Sequence, residues 1–195
     1  MSDYPEYVEV EGKQYKINTD FRYAIECNRI ATDSTIGDYE RVLGIIETLY
    51  GDEAIDDGKY NPMLYEKLLK LALKYLSCGK EIESDEKPDM DYIQDMDYIE
   101  ASFMSDFHID LANEKMHWWK FIKLMNGLSN SEMGNCCILN RVRNLRNFDL
   151  KDIKDPKERN KIRKAQQQVA LKNDKKVATD EQVESAKKLY EALGL

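Results

Sequence analysis

With 195 residues and a mass of 22.8 kDa, the chain is long enough for one sizeable core, or for one domain with an appendage. Its 42% hydrophobic and 34% charged content describes a folded domain with a heavily solvated portion, and nine glycines and four prolines are few for the frequent turns of an all-β protein. The net charge of −8 hides a polarity: residues 1–110 carry 26 acidic and 11 basic side chains, a balance of −15, whereas residues 111–195 carry 11 and 18, a balance of +7.

Because the basic residues are interleaved with Asp and Glu, attraction between the halves, within one chain or between copies, explains this polarity better than a nucleic-acid surface. The opening residues have neither a basic start nor an apolar run, so no secretory signal is expected. No stretch approaches the ~18 apolar residues that a membrane span requires. Cys27, Cys78, Cys136 and Cys137 form no C-x-x-C motif. They are expected to be reduced thiols, buried as small apolar groups in a cytoplasmic protein.

In chain order, residues 6–17 alternate around Val8, Val10, Tyr15 and Ile17, with Glu11-Gly12-Lys13 between them, which predicts a short β-hairpin packed on helices. Thr19 or Asp20 caps a helix to about Ala31 with Phe21, Ala24, Ile25 and Cys27 inward. A second helix runs from about Asp38 to Tyr50 and stops at Gly51. Asn61 caps a third, with Pro62 in its first turn, and its apolar side spans about half the circumference. Residues 79–95 read as a polar surface loop. Further helices are predicted over about 95–107, 114–127 and 133–146. The fold class is therefore mainly α: about six helices over residues 19–147, with an N-terminal hairpin. Residues 1–148 form the helical core domain. Residues 149–195 form a basic arm, helical or partly disordered, ending in an amphipathic segment that opens on the capping box Thr179-Asp180-Glu181-Gln182.

The run His117-Trp118-Trp119-Lys120-Phe121 holds both tryptophans and one of the two histidines. At helical spacing Trp118, Phe121, Ile122, Met125 and Leu128 fall on one stripe, so Trp118 is a core anchor. Trp119 lies off the stripe beside Lys120 and Lys123, where it either covers a second layer of the domain or meets a partner. The candidate partner-binding residues are thus Trp119, Lys120 and Lys123, with Val183, Leu189, Tyr190 and Leu193 of the terminal segment. Glu114 and His117 match half of a di-iron helix motif, but the other histidine, His108, has Ser105 three residues before it, so neither metal nor cofactor is expected. No nucleophile elbow or Gly-rich phosphate loop is present, no catalytic residue stands out, and Asp56-Asp57 and the Asp91, Asp95, Asp97 group read as solvated loop charges. The chain is not expected to be an enzyme. Residues 141–176 carry 13 basic and 5 acidic side chains but lack interleaved aromatics for base stacking.

Taken in order, Ile17-Asn18-Thr19-Asp20-Phe21-Arg22, Ile109-Asp110-Leu111, residues 117–121 and Arg141-Val142-Arg143 resemble a family of small proteins encoded in the tail-gene block of long-tailed phages and prophages of Gram-positive bacteria. The resemblance covers roughly residues 10–147. It implies a tail assembly chaperone, acting in the cytoplasm of the host, that holds the long tape-measure protein in solution while tail-tube subunits polymerise. Its partners would be the tape-measure protein and the major tail protein, and the charge polarity adds further copies of the chain as a candidate partner. The competing classes are a structural tail component retained in the virion and a small nucleic-acid-binding regulator using the basic arm.

Overall fold

The computed structural model describes residues 4–80, 88–130 and 136–172. Among them, residues 4–80 with 116–122 form one compact unit, and residues 88–115, 123–130 and 136–172 form a second.

In the first unit, Glu11 and Gly12 both adopt positive φ (54° and 79°) and reverse the chain between β1 (Tyr7–Val10) and β2 (Lys13–Lys16). Left-handed backbone at both central positions gives the primed turn whose twist matches paired strands. The antiparallel register sets Val8 opposite Tyr15 and Val10 opposite Lys13, and Val10, Tyr15 and Ile17 are buried. One polar knot ties the hairpin down. The Tyr15 hydroxyl donates to Asp57 at 2.7 Å, and Lys13 bridges Asp57 and Glu53. The Lys13 bond, then the Tyr15 bond, holds the Asp57 carboxyl below its usual range.

Helix α1 (Phe21–Thr32) starts at Asp20, whose carboxylate accepts the Arg22 amide, and buries Phe21, Ala24, Ile25, Cys27 and Ile30. Helix α2 (Asp38–Tyr50) buries Ile45, Ile46, Leu49 and Tyr50 and ends at Gly51, whose φ of 77° and ψ of −174° suit glycine alone. The chain then enters a short helix, α3 (Asp52–Gly58), which the sequence reading passes over. Only Ala54 and Ile55 interrupt its polar residues, too few to show a period, while Asp52 and Glu53 suit the positive end of a helix. Asp56 and Asp57 are accordingly helical rather than loop residues, in ion pairs with Lys59 and Lys13, and Asp56 remains exposed to solvent.

Helix α4 (Pro62–Leu76) buries Leu64, Tyr65, Leu68, Leu69, Ala72 and Tyr75; Leu71, Leu73 and Leu76 are half-buried. Asn61 occupies the cap position without capping. Its amide donates instead to Glu11 at 3.3 Å, and Lys67 pairs with the same carboxylate. Gly58 makes room for Tyr65, whose hydroxyl donates to the Ile55 carbonyl at 2.8 Å. A Cβ at Gly58 would lie 1.9 Å from the Tyr65 ring. Gly58→Ala is therefore expected to lower stability by about 1–3 kcal/mol, the usual cost of overpacking, in a urea melt. An unchanged midpoint would mean that the ring swings aside freely.

In the second unit, α5 (Met96–Phe107) buries Ile99, Ser102 and Phe103 and closes at His108 in the left-handed conformation, φ 55°. Helix α6 (Trp118–Asn126) starts in the first unit and ends in the second, and α7 (Ile138–Asn147) follows with Leu139, Asn140 and Val142 buried. The Ser102 hydroxyl donates to the Tyr98 carbonyl at 2.7 Å and accepts the Leu139 amide at 3.1 Å, joining α5 to α7. Beyond a 3₁₀ turn (Leu150–Asp152), α8 (Pro156–Val169) lies along α7, and none of its residues is fully buried. The helical reading of the arm thus holds over residues 156–169. Among the described residues, seven helices fall between residues 19 and 147, the expected set of about six with α3 added.

Two sequence expectations about thiols and carboxylates need correction. Cys27 and Cys137 are buried, and burial pushes the Cys27 thiol up to about 12, but Cys78 and Cys136 remain partly exposed. Cys78 occupies a left-handed position (φ 54°) past the end of α4, and Cys136 lies in an isolated bridge with Asn130. Asp95 is not a solvated charge. It is 1% exposed and receives both forks of Arg146 at 2.7 Å.

Candidate functional site

The two most distinctive sequence motifs meet. Residues 18–21 and 116–118 run antiparallel, with Asp20 and His117 in a bridge. The Phe21 amide donates to the Met116 carbonyl at 2.9 Å, the Trp118 amide to the Thr19 carbonyl at 2.8 Å, and the Met116 amide to the Asp20 carboxylate at 3.3 Å. Asn18 anchors the other side, its amide donating to the Leu49 carbonyl at 2.7 Å and its side chain to the Thr48 carbonyl at 2.8 Å. The capped segment and the tryptophan run are two halves of one joint.

This pairing corrects the expected start of the tryptophan helix. Residues 114–117 are not helical, because the backbone of Met116 and His117 faces residues 19–21. Glu114 and His117 therefore never share a helical face, the premise of the half di-iron motif. His117 caps α6 instead: its Nδ1 accepts the Trp119 amide at 3.0 Å, which leaves Nε2–H to donate to the Pro5 carbonyl at 3.1 Å. Its ring stacks on Tyr4 at 4.8 Å and meets Tyr75 edge-on at 5.9 Å. Among the described residues no group of three or more His, Cys, Asp or Glu is placed to hold a metal ion.

Trp118 is the core anchor, 2% exposed, stacked on Phe121 at 5.6 Å, while Phe121 stacks on Phe21 at 4.6 Å. Both indoles also serve the C-terminus of α4, where the last carbonyls of a helix lack intrahelical partners. Trp118 Nε1 donates to the Leu76 carbonyl and Trp119 Nε1 to the Tyr75 carbonyl, each at 2.9 Å. Trp119 is half-buried, lying against Tyr75 and Gly79, with its remaining edge toward solvent. It covers a second layer and still presents surface.

Lys120 is exposed next to Trp119, and Lys123 is exposed one turn further along α6, in the second unit. Val183, Leu189, Tyr190 and Leu193 lie outside the described residues. Among the exposed apolar side chains that the sequence does not flag are Tyr39 at the start of α2, Tyr60 before α4 and Met63 in its first turn, with Tyr60 93% exposed. They sit at helix starts, where an apolar residue interrupts no stripe, so periodicity gives no warning of them. The second unit contains a cavity of about 730 Å³ bordered by Ser105, Asp106, Phe107, Cys137 and Arg141. Its carboxylate is engaged by the protein itself, since Asp106 accepts the Ser129 amide and the Ser105 hydroxyl, each at 2.8 Å.

No described helix is long and apolar enough to cross a membrane. The fold is that of a small, mainly helical protein with an N-terminal hairpin, two of its marked motifs meeting at one joint. The family model described as Bacteriophage Gp15 protein matches residues 1–171, and the chain belongs to that phage family. No curated protein and no solved structure matches it.

Proposed function

We propose that this phage protein is a tail assembly chaperone, without enzymatic activity, that binds the tape-measure protein in the cytoplasm of the host during tail morphogenesis. Phage family membership supports the setting, and the tail-block resemblance of residues 10–147 supports the role. The observation that carries the binding reading is a set of apolar side chains left bare on the first unit, near both ends of α4. Tyr39, Tyr60 and Met63 are exposed, and Trp119 keeps an open edge beside Lys120. Aromatic and methionine side chains are enriched where proteins dock, and such a surface suits a long helix with an apolar stripe.

Co-expression with the tape-measure protein of the same phage is expected to raise the soluble yield of that client. Trp119→Ala combined with Lys120→Glu should reduce the gain, and deletion of residues 179–195 should reduce it further if the amphipathic end helps to cover the client. Absence of binding in a low-salt pull-down, together with detection of the chain in purified virions, would favour a structural tail component instead.

A further inference from the structure

We propose that the lysine stripe of α8 docks on the outer face of α2 in a second copy of this chain, joining copies head to tail. Lys157, Lys161 and Lys164 stand at i, i+4 and i+7 on α8, and all three are exposed. None of them pairs with an acid among the described residues. The neighbouring helix differs, because Arg143 and Arg146 of α7 are held by Asp89 and Asp95. The basic excess of the C-terminal half therefore includes a part held within the chain, Arg143 and Arg146 of α7, and a part unmatched among the described residues, which includes the α8 lysines.

The acidic half divides in the same way. Glu26, Asp38, Glu53, Asp56 and Asp57 are held by Arg29, Arg41, Lys13 and Lys59. Glu40 and Glu47 of α2 are exposed and have no such partner among the described residues. Asp52 and Glu66 are each the single unpaired carboxylate of their helix, and the unpaired Asp97 and Glu100 of α5 stand only three positions apart, so among these described helices α2 offers the pair spaced like the outer lysines of α8. Seven residues separate Glu40 from Glu47, as they separate Lys157 from Lys164, about 10 Å at the helical rise. Tyr39, exposed beside Glu40, adds an aromatic face for an ammonium group. A donor surface on one unit and its acceptor on another make a heterologous contact, which repeats from copy to copy. Exposed ion pairs are individually weak and screened by salt, so the association should be modest and steeply salt-dependent.

Sedimentation velocity of the full chain over a range of concentrations tests this, independently of any client. At about 50 mM salt, where the screening length exceeds ~10 Å, the mean mass is expected to rise with concentration; at about 500 mM, where it shrinks to a few ångström, the apparent association constant should fall at least tenfold. Lys157→Glu/Lys161→Glu/Lys164→Glu and Glu40→Lys/Glu47→Lys should each stay monomeric, with circular dichroism unchanged. Mixing the two variants should restore association as alternating copies, since each surface of one variant then meets the opposite charge on the other. A wild-type chain that stays monomeric at every concentration would overturn the proposal, including one that only expands with salt, which would place the attraction within a single chain. So would a triple lysine variant that associates like wild type, or a mixture in which association is not restored.

Discussion

Replacing Trp118 by alanine is expected to cost about 3–5 kcal/mol of folding stability, the usual loss when a large buried aromatic is removed. Three separate contributions vanish together. The indole fills the first unit against Phe121, which itself stacks on Phe21, so its loss opens a void between the tryptophan helix and α1. Its Nε1–H leaves the Leu76 carbonyl, exposing an end group of α4 that the chain otherwise satisfies. The first turn of α6 also loses the bulk that positions the Trp118 amide on Thr19. Trp118→Phe keeps part of the volume and loses the donor, so it should recover more than half of the deficit. Trp119→Ala should cost clearly less. That ring is half-buried, and the Tyr75 carbonyl it serves also accepts the Cys78 amide at 3.0 Å. Urea melts of the three variants decide the matter. Equal losses at the two positions, or a larger one at Trp119, would mean that the anchor and the surface ring have been exchanged.

The same joint shows where the sequence is informative and where it is not. Helical spacing separates Trp118 from Trp119 because burial follows the stripe, and the stripe is written in the order of side chains. The buried sets of α1 and α4 are legible for the same reason. The start of α6 is not. A helix assigned from residue 114 onward has acceptable propensity throughout, but residues 116–118 spend their backbone groups on residues 19–21, almost a hundred positions away. Long-range pairing of this kind overrides local preference and leaves no periodic trace. His117 carries its role only in that context, since its Nδ1 becomes a cap once the residue stands just outside the helix. Helix α3 escaped for a different reason: it is seven residues long and mostly acidic, below the length at which a period shows. Among the candidate binding residues, Trp119, Lys120 and Lys123 could be placed on a surface from spacing alone. The exposed Tyr39, Tyr60 and Met63 could not, because a side chain at a helix start is buried or bared by what packs beside it.

Charge balance is a weaker guide than charge geometry, and Arg146 gives the sharpest test of that. Arg146→Ala is expected to cost about 3–5 kcal/mol, the loss seen when one partner of a buried ion pair is removed. Asp95 is 1% and Arg146 10% exposed at the side chain, so little water remains to screen them. The guanidinium donates to both Asp95 oxygens at 2.7 Å, to the Asp89 carbonyl at 2.9 Å and to the Val169 carbonyl at 2.6 Å. Its removal leaves the buried Asp95 carboxylate with the Asp91 amide but no counter-charge, and takes the donor from two carbonyls at once. Lysine keeps the charge but has no planar fork, so Arg146→Lys should recover only a minor part. Asp95→Ala should cost a similar amount, because it leaves the guanidinium uncompensated. The double variant Asp95→Leu/Arg146→Leu should lose much less than the two single losses added together, since a buried pair replaced by apolar groups removes both desolvation penalties. Amide exchange adds a spatial readout: the Val169 contact ties the end of α8 to α7, so Arg146→Ala should speed exchange along α8 before it affects α4. A loss below about 1 kcal/mol for Arg146→Ala, the range of an exposed pair, would mean that water reaches this site and that the arginine serves the surface rather than the fold.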